Sequence, residues 1–123
     1  MGAVRELELP YPPSVNHYYR HVGPRVLISR EGRRYRELIV AKLKNERAEM
    51  FTGAVELLME LYPPDNRRRD VDNTLKCLLD AFSHGGLYGD DSQIYKLTVI
   101  KREPMPPTGL AYIRIQNYEP KQI

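Results

Sequence analysis

The sequence has one cysteine, Cys77, and no tryptophan. A single thiol excludes an intrachain disulfide framework and any Cys-rich zinc cluster, and it fits a reducing compartment, with the cytoplasm as default. No apolar run approaches the roughly 18 residues that a membrane span needs. Met1-Gly2-Ala3-Val4-Arg5-Glu6 offers neither a hydrophobic signal core nor the Ser or Thr of an acylation signal, so neither a targeting segment nor a membrane partner is expected. The phosphate-cradling patterns GxxxxGK(S/T) and GxGxxG are missing too. That argues against nucleotide-hydrolysing and dinucleotide-binding enzymes.

What is present describes one globular domain over residues 1–123. Hydrophobic residues make up 41% and charged residues 28%, the balance of a chain that buries a single core. The net charge is +3, but it is unevenly spread. From His17 to Arg47 nine Lys/Arg stand against three Glu, an excess of six, which leaves the remaining residues three net negative charges. A basic third of this kind suits a polyanion such as nucleic acid; a solvated basic helix accounts for it equally well.

Hydrophobic periodicity predicts the order β-α-β-α-β-β, an α+β domain with two helices packed on a small mixed sheet. Residues 3–9 alternate (Ala3, Leu7, Leu9 against Glu6, Glu8) and stop at Pro10. Val15 to Ile28 reads as a loop, and Ser29 as the N-cap of a helix running to about Met50 through Tyr35, Leu38, Ile39 and Leu43. Val55 to Leu61 alternates as a strand. A second helix is expected from Asp70 to about Ser83, with Val71, Leu75, Leu78, Leu79 and Phe82 on its apolar stripe, Cys77 off it, and Gly85-Gly86 as its stop. Strands over Gln93–Lys101 and Leu110–Asn117 complete the chain.

The segment richest in chemistry is Arg67-Arg68-Arg69-Asp70-Val71-Asp72-Asn73-Thr74-Leu75-Lys76. Two carboxylates two residues apart leave the first turn of a helix, and Asp72, Lys76 and Asp80 fall along one edge of it. A third acid source is Asp90-Asp91, after a glycine-containing loop. Carboxylates without a Cys/His set select hard Mg2+ or Mn2+ over zinc. Plainer roles fit each part: Asp70 as an N-cap, Asp72 with Lys76 as an i,i+4 ion pair, Asp90-Asp91 as turn chemistry. Tyr18, Tyr19 and Tyr88 fall in loops, where aromatic rings stack on bases.

The same run, with Leu79-Asp80-Ala81 after it, closely resembles the signature of the RusA family of Holliday-junction resolvases, the crossover-junction endodeoxyribonucleases. Pro12-Pro13-Ser14-Val15-Asn16 is similar to the family's N-terminal block, Ser29-Arg30-Glu31-Gly32 with Tyr35-Arg36 to a second, and Gly89-Asp90-Asp91-Ser92-Gln93-Ile94 to its Asp-Asp-x-Gln block. The resemblance implies a Mg2+-dependent resolvase, with Mn2+ as substitute, that makes paired cuts in four-way junction DNA. It makes Asp70, Asp72 and Asp91 the catalytic metal ligands, Lys76 an essential basic residue, and Arg69 a phosphate contact; Asp90 aligns with a neighbouring acid. The chain departs from the pattern in carrying Leu87-Tyr88-Gly89 where a Trp often precedes the acid pair.

One acidic set per chain and two symmetric nicks per junction call for two chains about a two-fold axis, a homodimer. Arg20, Arg33 and Arg34, with Arg67, Arg68 and Arg69, are the expected DNA contacts, giving salt-dependent, shape-selective binding. Two alternatives differ in class. One is a structure-selective nuclease acting on forks or flaps; the other is a non-enzymatic DNA-binding module, which would be expected to have lost an acid or the lysine.

Overall fold

The structure is a computed structural model that describes residues 4–46 and 49–120. Its elements are β1 (Arg5–Leu9), α1 (Val15–Tyr18), β2 (Tyr19–Val22), β3 (Arg25–Ile28), α2 (Arg30–Asn45), β4 (Val55–Tyr62), α3 (Asp72–Gly85), β5 (Ile94–Lys101) and β6 (Leu110–Asn117), with a 3-10 turn at Asp91–Gln93. The fold class is α+β, as the periodicity predicts. The chain forms two compact units, each built from separate stretches: Met1–Tyr11, Met50–Asn66 and Tyr88–Ile123 in one, Pro12–Glu49 and Arg67–Leu87 in the other.

The first unit holds a four-stranded sheet in the order β1-β6-β4-β5, parallel between β4 and β5 and antiparallel elsewhere. A parallel neighbour needs a long crossover, and the stretch joining β4 to β5 is long enough to carry α3. Strand alternation puts Val55, Leu57, Met59 and Leu61 of β4 with Ala111, Ile113 and Ile115 of β6 on one face, all at most 2% exposed. The strand expected from Ala3 begins at Arg5 among the described residues; Ala3 lies outside them. The strand expected from Gln93 begins at Ile94, because the 3-10 turn takes Gln93.

The second unit corrects the sequence reading in four places. The stretch Val15 to Ile28 is not a loop: a single helical turn leads into the β2–β3 hairpin, with Tyr19 opposite Ile28 and Val22 opposite Arg25. Gly23, at φ 60°, takes the first central position of its two-residue turn, where a primed turn favours glycine. Both strands are too exposed to show an apolar alternation.

Helix α2 is capped by Ser29, whose hydroxyl accepts the Gly32 N–H at 2.9 Å, and ends at Asn45 rather than near Met50. Its buried positions Gly32, Tyr35, Ile39 and Leu43 have no successor, since Glu46 is exposed; Arg47 lies outside the described residues. Helix α3 begins at Asp72 rather than Asp70 and stops as predicted. Gly86 is left-handed at φ 76°, while Gly86 and Leu87 donate back to Ser83 and Phe82 in a Schellman pair.

The buried side of α3 is Thr74, Cys77, Leu78, Ala81 and Phe82, so the expected stripe is rotated, with Val71, Leu75 and Leu79 only half-buried and Cys77 fully inside. Small residues explain the rotation. Cys77, Ala81 and Gly85 recur every four residues, and a Cβ on Gly85 would stand 2.5 Å from the Leu43 side chain of α2. The two helices approach closely at Gly85, and Cys77 and Ala81 on the same side are fully buried, which a stripe counted from large apolar residues does not reveal.

Candidate active site and nucleic-acid interface

In the second unit Asp70 and Asp72 flank Val71 at the start of α3, and both are exposed. The backbone beneath them is tied down, with Asn73 N–H donating to the Asp70 carbonyl at 3.2 Å and Thr74 N–H to that of Val71 at 3.2 Å. The N-cap position belongs to Val71 and carries no side-chain cap, so Asp70 is not an N-cap. Among the described residues neither carboxylate makes a hydrogen bond or an ion pair. Two fixed, uncompensated carboxylates are poor stability devices and good oxygen donors.

Lys76 is not paired with Asp72. Its Nζ lies over the Tyr19 ring, 5.2 Å from the centroid, and Tyr19 in turn meets Tyr18 edge-on at 4.8 Å. The ring holds the ammonium by cation–π attraction while leaving its charge uncancelled. Asp80, expected on the same edge, is a structural hub. It accepts from Arg36 Nε at 3.1 Å and Nη2 at 2.8 Å and from the Tyr18 hydroxyl, with His84 Nε2 3.7 Å away. Burial, reinforced by Asp80, pushes the Tyr18 phenol above its ordinary range. Tyr18 is fully buried and not a stacking platform.

In the first unit, Asp91 and Asp90 prove to have different jobs. Asp90 caps the 3-10 turn, accepting the Ser92 N–H at 2.9 Å, and this bonding to Ser92 lowers its carboxyl below the ordinary value. Gln93 braces the loop: its Oε1 accepts the N–H groups of Gly89 (2.7 Å) and Asp90 (2.9 Å), and its Nε2 donates to the carbonyls of Phe51 (3.1 Å) and Gly53 (2.9 Å). Asp91 is exposed, and its Oδ1 accepts from the Tyr88 hydroxyl at 3.0 Å. Tyr88 is wholly buried, so it orients the acid and is not free to stack on a base. Sequence reasoning missed this role; the signal available was a tyrosine three residues before the acid.

Of the expected DNA contacts, Arg20, Arg33, Arg34, Arg67 and Arg68 are exposed. Arg69 is half-buried and bends back on the Arg67 carbonyl at 3.5 Å. Among the described residues no three His, Cys, Asp or Glu form a ready-made metal cluster. The expected ligands, Asp70 and Asp72 in the second unit and Asp91 in the first, are each carboxylates, the donor chemistry that hard divalent cations take. Cys77 is inert: burial, then the nearby Asp80 charge, push its thiol up to about 12.

Comparison with known proteins agrees with the motif reading. The family model described as Endodeoxyribonuclease RusA matches residues 10–115. The crossover junction endodeoxyribonuclease RusA of Shigella sonnei (strain Ss046) is 40% identical over 103 residues, 83% of each chain. That of Escherichia coli (strain K12) is 39% identical over the same share, and that of Enterobacteria phage HK97 38% identical over 114 residues, 90% of this chain and 92% of the phage protein. Carrying the acids, the lysine and the motif blocks over nearly its whole length, the chain belongs to the RusA family of endodeoxyribonucleases.

Proposed function

We propose that this protein resolves four-way DNA junctions by paired symmetric nicks during recombination and repair, as a single-domain subunit of a homodimer in the cytoplasm of a bacterium or phage-infected cell. The observation that carries the reading is the unpaired state of Asp70 and Asp72 beside an unneutralised Lys76. Structural carboxylates find partners, as Asp80 does. Asp70, Asp72 and Asp91 would hold Mg2+, or Mn2+ in its place. When bound, such a cation supplies Lewis-acid polarisation of the phosphodiester and stabilises charge on the leaving oxygen. The chain supplies the rest: carboxylates on a tied-down turn, the Tyr88 hydroxyl that orients Asp91, and the Lys76 ammonium as a fixed positive charge toward the phosphate.

The two edges of the sheet support the homodimer. At one edge β1 is five residues long, carries Arg5, Glu6 and Glu8, and is followed by Pro10, the usual protection against edge pairing. At the other, β5 is eight residues long and, among the described residues, pairs with β4 alone. Its Leu97 and Val99 are in register with buried Leu57 and Met59, yet Leu97 is 38% and Tyr95 68% exposed. An apolar face that runs out to an open edge suits an antiparallel β5–β5 contact with a second copy, which a two-fold axis makes self-complementary.

The deciding experiment offers the purified protein a mobile four-way junction, a fork and a linear duplex, with Mg2+ and with chelator. Symmetric Mg2+-dependent nicks confined to the junction are expected. Equal cutting of all three substrates would make it a general structure-selective nuclease, and binding without cutting a DNA-binding module.

A further inference from the structure

Three arginines converge where the hairpin meets α2. Arg20 of β2 and Arg30 and Arg33 of α2, with Ile28 as floor, line one concavity of about 300 Å³ in the second unit. Arg30 and Arg33 are three residues apart and so share a helix face. Arg20 reaches the same space from the strand. All three are exposed, and among the described residues none of their side chains makes an ion pair or hydrogen bond. Glu31, the nearest acid in sequence, is not among the lining residues, and neither is Arg34. Three guanidiniums around one small space repel one another, and the arrangement makes sense when an anion stands between them.

The cluster is also built rigidly. The Ser29 N–H donates to the Tyr18 carbonyl at 2.8 Å, and the Ser29 hydroxyl donates to the His17 carbonyl. A Cβ on Gly32 would sit 2.2 Å from the Tyr18 oxygen, so only glycine lets the helix start close down on the base of the hairpin. These contacts fix the strand that bears Arg20 against the turn that bears Arg30 and Arg33. The preceding strand residue, Tyr19, is the one whose ring lies under the Lys76 ammonium.

We infer that Arg20, Arg30 and Arg33 together form a subsite for one phosphodiester of the DNA backbone, separate from the phosphate that is cut. This rests on the junction-resolving reading for its ligand. It adds Arg30 to the binding surface and makes the three arginines one contact instead of three. A planar fork of donors suits bidentate phosphate recognition, so lysine at these positions should serve poorly.

The count of phosphates is measurable. Each phosphate neutralised contributes about 0.9 to the slope of log affinity against log salt on B-form DNA. Junction binding is followed by anisotropy across a salt series, in chelator so that nothing is cut, for the wild type, for R20Q, R30Q and R33Q, for the triple variant, and for R114Q as a control for loss of one surface charge. The triple variant is expected to lose about 0.9 of slope, one phosphate. A loss near 2.7 would mean three separate contacts, and no loss would mean no contact; either overturns the subsite.

A second measurement does not depend on junction recognition or on the variants folding. Arginine Nε–H signals of the wild type are followed by NMR during titration with thymidylyl-thymidine, which carries one phosphodiester, and separately with inorganic phosphate. Signals of Arg20, Arg30 and Arg33 moving together with the dinucleotide, while that of Arg25 stays, support the subsite. A response to inorganic phosphate alone would make it a free-anion pocket, and no response to either would remove it. Failure of the resolvase reading looks different: the wild type would then show no preference for the junction over duplex.

Discussion

The ammonium of Lys76 lies 5.2 Å from the centre of the Tyr19 ring and not against the carboxylate of Asp72, one helical turn earlier. An ion pair there would spend the charge on structure, whereas an aromatic face holds it and leaves it available to a phosphate. Lys76→Ala is therefore expected to abolish cleavage. Tyr19→Leu, which loses about 0.5–1 kcal/mol of cation–π attraction, should slow single-turnover cleavage a few-fold with little change in junction affinity. An unchanged rate in Tyr19→Leu would show that the ring does not position the lysine.

The unpaired and the paired carboxylates of α3 should respond to amidation in opposite ways. Asp70→Asn and Asp72→Asn remove charges that hold nothing together, so stability should move by at most about 1 kcal/mol while cleavage disappears and junction binding stays. Asp80→Asn weakens a half-buried network with Arg36 and Tyr18 and should cost about 1–3 kcal/mol, with cutting largely retained below the lowered melting point. Thermal melts beside cleavage assays separate the two groups; an Asp72→Asn protein that still cuts ends its assignment as a metal ligand.

How much of this was legible beforehand follows from the range of each interaction. Strands β4 and β6 were readable because one face is buried and the period of two shows directly, as with Val55 to Leu61. The β2–β3 hairpin was not, since strands exposed on both faces leave no pattern. The rotation of α3 was hidden because its buried side includes Cys77 and Ala81 and its close approach to α2 is at Gly85, small residues that a count of large apolar side chains overlooks. The motif exposed the acids and Lys76, but their states depend on distant partners. Asp80 is taken by Tyr18, 62 residues away, and Arg36, 44 away. Spacing within one helix cannot distinguish it from Asp72.

Tyr88 is buried and aims its hydroxyl at Asp91 from 3.0 Å. Outer partners of metal-binding groups are typically worth about 10–100-fold in metal affinity or activity. Tyr88→Phe keeps the ring and removes the bond, so the Mg2+ concentration for half-maximal cleavage should rise, or the rate fall, by at least about tenfold, with the fold intact by circular dichroism. Wild-type behaviour on both counts would reduce the bond to a structural contact.

Alkaline stability should report the buried titrating groups. Burial pushes the Cys77 thiol up from 9.0 to about 12 and raises the Tyr18 phenol as well. Folding favours the neutral forms, so neither group affects stability at pH values where the unfolded chain is also neutral. Above about pH 9 the unfolded thiol ionises first, and stability should fall steadily toward pH 12. Cys77→Ala should lose stability to its cavity but show a shallower alkaline decline. In the native state at pH 8 the thiol should resist a disulfide reagent and react fully once urea unfolds the chain; rapid native labelling would contradict its burial.

The β5 edge gives the proposed dimer a specific geometry to test. An antiparallel pair about a two-fold axis places residues of the same face opposite one another, and centring it on Leu97 sets Leu97 against its own copy and Tyr95 against Val99. No like charges then face each other directly, since Lys96 meets Thr98. Leu97→Cys should oxidise to a covalent dimer, with buried Cys77 unable to compete, because directly opposed Cβ atoms lie about 4.5–5.5 Å apart, close to disulfide reach. Leu97→Lys puts two like charges at the centre and should sediment as a monomer that binds junctions weakly and loses paired cutting. A Leu97→Lys protein that remains dimeric, with no cross-link in Leu97→Cys, would move the interface off β5 while leaving the need for two active sites per junction untouched.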